Sequence, residues 1–351
     1  MVATFRAALR MKRKIAARLL KKNGIHGVGI GFRDPANPKK GAAVIIYTDK
    51  VSSANLGLVP AMFTAKAKGK GTAVPVPIRV VKTGKIRAHA DYTARIRPVP
   101  PGYSVGTTKG SGSAGLIVTN GPEAANRYLL SNNHVLNPDN TNGATETIQP
   151  GGADGGRPGK DRIGRLYSYV KLEPNKTNVM DAALSVPANN RLLNPNYPTV
   201  GVIPGYVTSY RVGEQFKKVG RTTGLVTGRV ESIDTDIQID YGGSLGVLTF
   251  KNQTVIRGTT PISLGGDSGS VWLRDSDNYA AAVNFAGSLD GRLSIAFPVC
   301  WAMQAFGTKV ALAGGAGKVK QVKAARSSRA YVRKLTAKAL ARIKPKKALK
   351  P

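Results

Sequence analysis

The chain has 351 residues, with 53 Lys and Arg against 19 Asp and Glu, three His and one Cys. A single cysteine excludes an intramolecular disulfide framework, and the roughly 18 consecutive apolar residues that a membrane-spanning helix needs occur nowhere. The 41 glycines and 21 prolines punctuate short apolar runs, which argues for a mainly β chain of roughly one to three domains with a sizeable core.

Taken in chain order, the first element is a helix from about Thr4 to Lys22. Phe5, Ala8, Leu9, Ile15, Ala16, Leu19 and Leu20 recur at near-helical spacing. Arg6, Arg10, Arg13, Lys14, Arg18, Lys21 and Lys22 fall mostly opposite, and Asn23-Gly24 is a suitable stop. Charge interrupts any apolar core here, so the segment is no ordinary signal peptide. It suits an anionic membrane surface, nucleic acid, docking on the chain's own second domain, or a solvated basic helix packed by its apolar stripe. Residues 24–100 read as a small α/β domain with glycine-edged strands, among them Val28–Phe32 and Ala43–Tyr47.

From residue 101 to 310 the text changes to short strands between turns. Ala114–Thr119, Tyr128–Leu130, Ala182–Val186, Gly228–Ile233, Ser270–Leu273, Ala280–Phe285 and Leu293–Phe297 are examples. Gly242-Gly243 between Ile237–Tyr241 and Leu245–Phe250 reads as a hairpin turn. Cys300 sits in an apolar stretch and reads as a buried, inert thiol. Residues 311–351 begin in a glycine-rich stretch and carry no acid. Like-charge repulsion predicts an extended or disordered tail, with Tyr331 as its one aromatic residue.

The strongest chemical signal is Gly265-Gly266-Asp267-Ser268-Gly269-Ser270. A serine between small residues can be presented on a tight turn, with backbone N–H groups aimed at one point. Such a serine needs a base, and the base needs an orienting acid. His134 follows the apolar run Tyr128–Leu130 through a polar turn, whereas His26 and His89 sit in glycine-rich and basic contexts that fit structural or surface roles. Asp181 precedes the apolar run Ala182-Ala183-Leu184 and needs a polar partner if buried. Asp267, next to the serine, reads as structural.

The order His134, Asp181, Ser268 resembles that of the chymotrypsin-like (trypsin-like) serine peptidases. Leu130–Val135, Asp181–Leu184, Gly266–Ser270 and Val219–Gly224 with Thr227-Gly228 carry the resemblance, over about residues 104–307. The preceding segment, with Val28–Phe32, Ala43–Tyr47 and Arg97–Gly106, is similar to the N-terminal region of bacterial trypsin-like proteins related to plant NARROW LEAF 1. The resemblance implies two antiparallel β-barrels with the site in the cleft between them. It implies a catalytic triad of His134, Asp181 and Ser268 and an oxyanion hole from the N–H groups of Gly266 and Ser268. It also implies a substrate pocket lined by Ile262, Ser263, Asn284, Phe285, Ala286 and Gly287. Those pocket stretches hold no carboxylate, so a small or apolar substrate residue is expected. No cofactor or metal is expected.

Charge is unevenly distributed. Residues 1–100 hold 21 basic and 3 acidic residues, 101–307 hold 18 and 16, and 308–351 hold 14 and none. The expected organisation is thus a basic helix (1–23), the small domain (24–100), a nearly neutral peptidase domain (101–310) and a basic tail (311–351). The partners expected are a protein or peptide substrate and, through the two basic ends, nonspecific nucleic acid or another polyanion. One cysteine and no signal peptide point to the cytoplasm, with nucleoid or virion association as the alternative. A structural, nucleic-acid-associated protein built on a peptidase fold, or an esterase using the same triad, remain alternatives to an endopeptidase.

Overall fold

In a computed structural model of the chain, the described residues are 2–48, 62–65, 74–83, 91–121, 126–323 and 330–348. His89 and parts of the 24–100 segment lie outside them. The chain divides into two units, Met1–His89 and Ala90–Pro351.

In the first unit, helix α1 (Phe5–Leu20) is capped by Thr4, whose side chain accepts the Ala7 N–H. Four strands follow: β1 (Ile25–Phe32), β2 (Ala42–Thr48), β3 (Met62–Ala65) and β4 (Val74–Lys82). They pair in the order β1-β2-β4-β3, with β2 and β4 parallel. Val28, Ile30, Val44, Ile46, Ile78 and Val80 alternate along their strands and so share one face. Ala8, Met11, Ile15 and Leu19 of α1 pack on that face. The helix expected over 1–23 runs from Phe5 to Leu20 and shares a unit with this sheet. Its apolar stripe is taken up by the sheet of its own unit.

The second unit is built on two sheets. The first contains β5 (Ser104–Thr107), β6 (Gly110–Ser113), β7 (Leu116–Thr119), β8 (Arg127–Ser131), β9 (Glu146–Ile148), β10 (Arg162–Tyr169) and β11 (Ala183–Pro187), with the short helix α2 (Asn133–Leu136) after β8. The second contains β12 (Gly205–Val207), β13 (Gln215–Gly220), β14 (Gly224–Asp240), β15 (Val247–Arg257), β16 (Val271–Arg274), β17 (Ala280–Gly287) and β18 (Leu293–Pro298). Here β16 pairs with both β13 and β17, so six strands close a ring. The first sheet curls without a closing pair among the described residues. Leu116, Leu130, Phe250, Phe285 and Phe297 fill the main core, and fully burying each contributes about 1.5–3 kcal/mol.

The β14–β15 hairpin is longer than its sequence signal. Its strands pair from Arg229↔Arg257 to Asp240↔Val247. Gly242 and Gly243 both have positive φ, yet the turn closes at Gly246, whose carbonyl accepts the Tyr241 N–H at 2.9 Å. A six-residue loop, 241–246, joins the two strands of the hairpin expected here.

The C-terminal segment corrects the expectation of an extended or disordered tail. After α3 (Val299–Phe306) come β19 (Lys309–Leu312), β20 (Gly315–Ala316), β21 (Lys318–Lys320), α4 (Ala337–Ile343) and β22 (Lys346–Lys347). β19 pairs with β7, β21 runs parallel to β12, and β22 pairs with β10. Between them Val332 is buried, and Trp301 Nε1 donates to the Arg333 carbonyl at 2.8 Å. The tail thus straps both sheets. Repulsion among its cations is overcome because the backbone finds strand edges and the cationic heads stay in water. Cys300 is buried, and burial pushes its thiol up to about 12.

Truncation after residue 323 should lower Tm by roughly 5 °C or more, because a buried side chain and a set of backbone hydrogen bonds are lost. Calorimetry checks this; an unchanged Tm would mean that the strap contributes nothing.

Candidate active site

Strand register brings the first two residues together. β8 and β11 are antiparallel with Ser131 opposite Ala183. The turn after β8 and the turn before β11 therefore lie at one end of the pair, and these turns carry His134 and Asp181. The Asp181 side chain is fully buried and must find donors. The N–H of Asn133 donates to Asp181 Oδ1 at 2.6 Å and that of His134 at 3.2 Å. His134 Nδ1 lies 2.5 Å from Asp181 Oδ2. The Tyr241 hydroxyl donates to the same Oδ2 at 2.8 Å. Burial alone would raise the Asp181 carboxyl, but the facing His134 and these hydrogen bonds hold it below its usual value. Tyr241 moves the opposite way: burial, then the Asp181 charge, pushes its phenol well above the ordinary range. It is a neutral donor.

Tyr241 was not singled out from sequence. It stands at the tip of the β14–β15 hairpin, 60 residues from Asp181, and its ring packs edge-on against His134 at 5.5 Å. The glycine-rich loop beside it marked a turn but not its destination.

Ser268 comes from the second sheet, on the loop before β16. The first sheet holds that loop through Ser113, the last residue of β6. The Ser113 N–H donates to the Ser268 carbonyl at 2.7 Å, and its hydroxyl donates to the Gly266 carbonyl at 2.9 Å. Gly269 has φ +92, and a Cβ there would lie 2.1 Å from Ser131 Oγ and 2.3 Å from the Ser113 carbonyl. Only glycine fits this approach of the two sheets.

Asp267 anchors the same loop from beneath. Its Oδ1 accepts the N–H groups of Thr222 and Thr223 at 2.9 and 3.0 Å, and its Oδ2 accepts that of Leu264 at 3.0 Å. Lys218 Nζ lies 3.6 Å from Oδ2, with both side chains fully buried. Burial lowers the Lys218 ammonium and the Asp267 charge opposes that drop.

Two peptide planes in the loop are fixed from one side. The Thr222 hydroxyl donates to the Gly265 carbonyl at 2.6 Å. The Asp267 carbonyl accepts from Ser270 N–H at 3.0 Å, Ser270 Oγ at 2.5 Å and Asn284 Nδ2 at 3.1 Å. In a trans peptide C=O and N–H point oppositely. The N–H groups of Gly266 and Ser268 thus face away from these clamps, and no protein acceptor takes them among the described residues. Arg221 braces Thr222: its Nη1 donates to Thr222 Oγ1 at 3.0 Å, while its Nε donates to Asp154 Oδ2 at 2.9 Å.

A cleft of about 620 Å³ is lined by His134, Ser268, Ser263, Phe285, Ala286 and Gly287, and by Gln238–Tyr241 of the hairpin. Ile262 and Asn284, expected among the lining, are not among the residues that line it. Ile262 is buried in one core cluster with Val230, Ile256 and Trp272, and Asn284 accepts the Ser263 hydroxyl at 3.0 Å. Leu264 and Leu289 stand exposed at the rim. Asp240 is the one carboxylate of the lining, and its Oδ1 accepts the Gly242 N–H of its own loop at 2.8 Å. The Ser268 hydroxyl donates to the Phe285 carbonyl at 3.3 Å and makes no bond to His134 among the described residues. His26 lies in β1 of the other unit.

No family model matches the chain, and no curated protein matches it. Among solved structures it is similar to a glutamic-acid-specific serine protease, with 22% identity over 61% of this chain and 100% of that one and a TM-score of 0.44. It is also similar to Protease A of Thermobifida fusca, with 16% identity over 60% of this chain and 98% of that one and a TM-score of 0.43. A third is the Cellulomonas bogoriensis chymotrypsin, with 20% identity over 61% and 98% of the two chains and a TM-score of 0.42.

A depressed carboxyl contributes stability above its unfolded pKa of about 3.9, and that stability is lost as pH falls through the folded value. Tyr241→Phe removes one donor and raises the folded value, so the loss begins at higher pH. The acid midpoint of unfolding, followed by circular dichroism, should move up in Tyr241→Phe; an unmoved midpoint would show that the hydroxyl does not hold the charge.

Proposed function

We propose that the chain is a serine endopeptidase working through an acyl-enzyme. One observation carries the reading: the buried Asp181 carboxylate meets His134 Nδ1 at 2.5 Å, and His134 shares a cleft with Ser268. In this mechanism rotation about the Ser268 Cα–Cβ bond takes Oγ from the Phe285 carbonyl to His134 Nε2, a contact that tightens when substrate occupies the cleft. Ser268 attacks the peptide carbonyl while His134 takes its proton. His134 then gives that proton to the leaving amine, and water repeats the sequence on the ester. Asp181 fixes the imidazole tautomer and stabilises the imidazolium. The N–H groups of Gly266 and Ser268 receive the oxyanion, held in aim by Thr222 and Asn284.

The side chain next to the cleaved bond is small or apolar. Ser263, Phe285, Ala286 and Gly287 carry no charge and the rim carries Leu264 and Leu289, while the one carboxylate of the lining, Asp240, stands apart from them on the β14–β15 hairpin. The similarity of the first hundred residues to NARROW LEAF 1-related bacterial proteins belongs to the same proposal. So does a polyanion that holds the enzyme by its basic ends. A second reading, a nucleic-acid-associated structural protein on a peptidase fold, is favoured by the acid-free C-terminal segment.

A fluorophosphonate probe should label the folded protein at Ser268 between about pH 6 and 9, and Ser268→Ala and His134→Ala should abolish labelling. Silence of the wild-type protein, shown to be folded, would end the hydrolase reading. Thr222→Val should slow labelling about tenfold without loss of folding, since it frees the Gly265–Gly266 peptide plane. An unchanged rate would remove Thr222 from the oxyanion network.

A further inference from the structure

We infer that the exposed face of α1 is a docking ridge for the phosphate backbone of double-stranded nucleic acid; this rests on the polyanion reading above and names its partner. Arg6, Arg10, Arg13, Lys14 and Arg18 are all exposed. At about 100° per residue they fall on one side of the helix, while Ala8, Met11, Ile15 and Leu19 face the sheet. None of the five forms an ion pair among the described residues; the first described acid in the chain, Asp34, is engaged by Lys40 at 2.9 Å.

This arrangement works against the helix itself. No acidic residue occupies the first turn, and Arg6 lies there against the positive end of the helix dipole. Arg6 and Arg10, Arg10 and Lys14, and Lys14 and Arg18 are like-charge pairs at a separation of four, each of which repels. Helix stability alone favours glutamates at such positions. A row of phosphates laid along the ridge removes both penalties together, and local rules broken without internal compensation mark function.

The form of the polyanion follows from what else the helix carries. From Arg6 to Arg18 the ridge is about 18 Å long, enough to meet several phosphates of one strand, which recur about every 3.4 Å of duplex axis. The ridge offers no aromatic platform: Phe5, the one aromatic residue of α1, is engaged edge-on by Phe32 at 5.2 Å. Unstacked single-stranded bases would want such a platform. A membrane surface would want the apolar stripe, which the sheet already covers.

The test uses the full chain carrying Ser268→Ala, so the result does not depend on whether the protein is a peptidase. Binding of a labelled duplex of arbitrary sequence is followed by fluorescence anisotropy between about 50 and 200 mM salt. Replacing Arg10, Arg13 and Arg18 by Gln should reduce the slope of log K against log salt by about 3, equally for unrelated sequences. Replacing the same three by Lys should leave the slope in place. An unchanged slope in the Gln variant overturns the proposal, and so does an equal loss in the Lys variant, which would point to helix structure rather than charge. Binding to heparin or to phosphatidylserine vesicles without binding to duplex overturns it as well, while leaving a wider polyanion role standing.

Discussion

A carboxylate shut away from water is tolerated only where the fold supplies donors, and the second unit is organised around meeting that need at Asp181. The donors come from two backbone N–H groups of α2, the His134 ring and the Tyr241 hydroxyl. The first sheet provides the α2 turn, and the long hairpin of the second sheet provides the tyrosine. One buried charge therefore couples the two sheets across the cleft. The cost of leaving it unpaired disfavours any arrangement that opens the hairpin or shifts the β8–β11 register.

A similar logic governs the serine loop. Asp267 is buried too, and its partners are three backbone N–H groups together with the buried Lys218. Ser113 ties the loop to the first sheet through its N–H and its hydroxyl. The loop is thus held from below by charge and from the side by a staple. The N–H groups of Gly266 and Ser268 are left as its free face. The shape of the cleft depends on these supports as much as on the residues that line it.

The basic residues obey a separate constraint. Both basic ends are folded onto the chain over their described residues, with apolar positions turned inward and cations outward. Charge repulsion is met by spreading the cations over surfaces rather than by unfolding the segments. In α1 this leaves a ridge whose charges nothing in the helix balances.

Much of this was legible in the residues. Helix α1 follows from the spacing of its apolar positions, and the strands around Leu116, Leu130 and Phe285 follow from short apolar runs between turn residues. These patterns are local, and local periodicity is what a sequence records best. The partners of the serine loop were not legible. Lys218 carries no signal of its own in the sequence, yet the fold buries it over Trp272, 5.4 Å from the ring centroid. Tyr241 reads as a hairpin residue. The resemblance places Ile262 and Asn284 in the pocket lining, but Ile262 is fully buried in the loop before Ser268, and Asn284 accepts the Ser263 and Ser294 hydroxyls.

The amino-acid sequence by itself determined the elements and the candidate residues: an amphipathic basic helix, a series of short strands, and His134, Asp181 and Ser268 on turns. Spacing, turn chemistry and side-chain type act over a few residues and need no partner. Only the tertiary structure decided which of these meet. The β8–β11 register joins His134 to Asp181, the hairpin brings Tyr241 to them, and ring closure at β16 sets Ser268 against Phe285. Those contacts span 17 to 60 residues of chain, and at that range burial and hydrogen-bond satisfaction choose the partner.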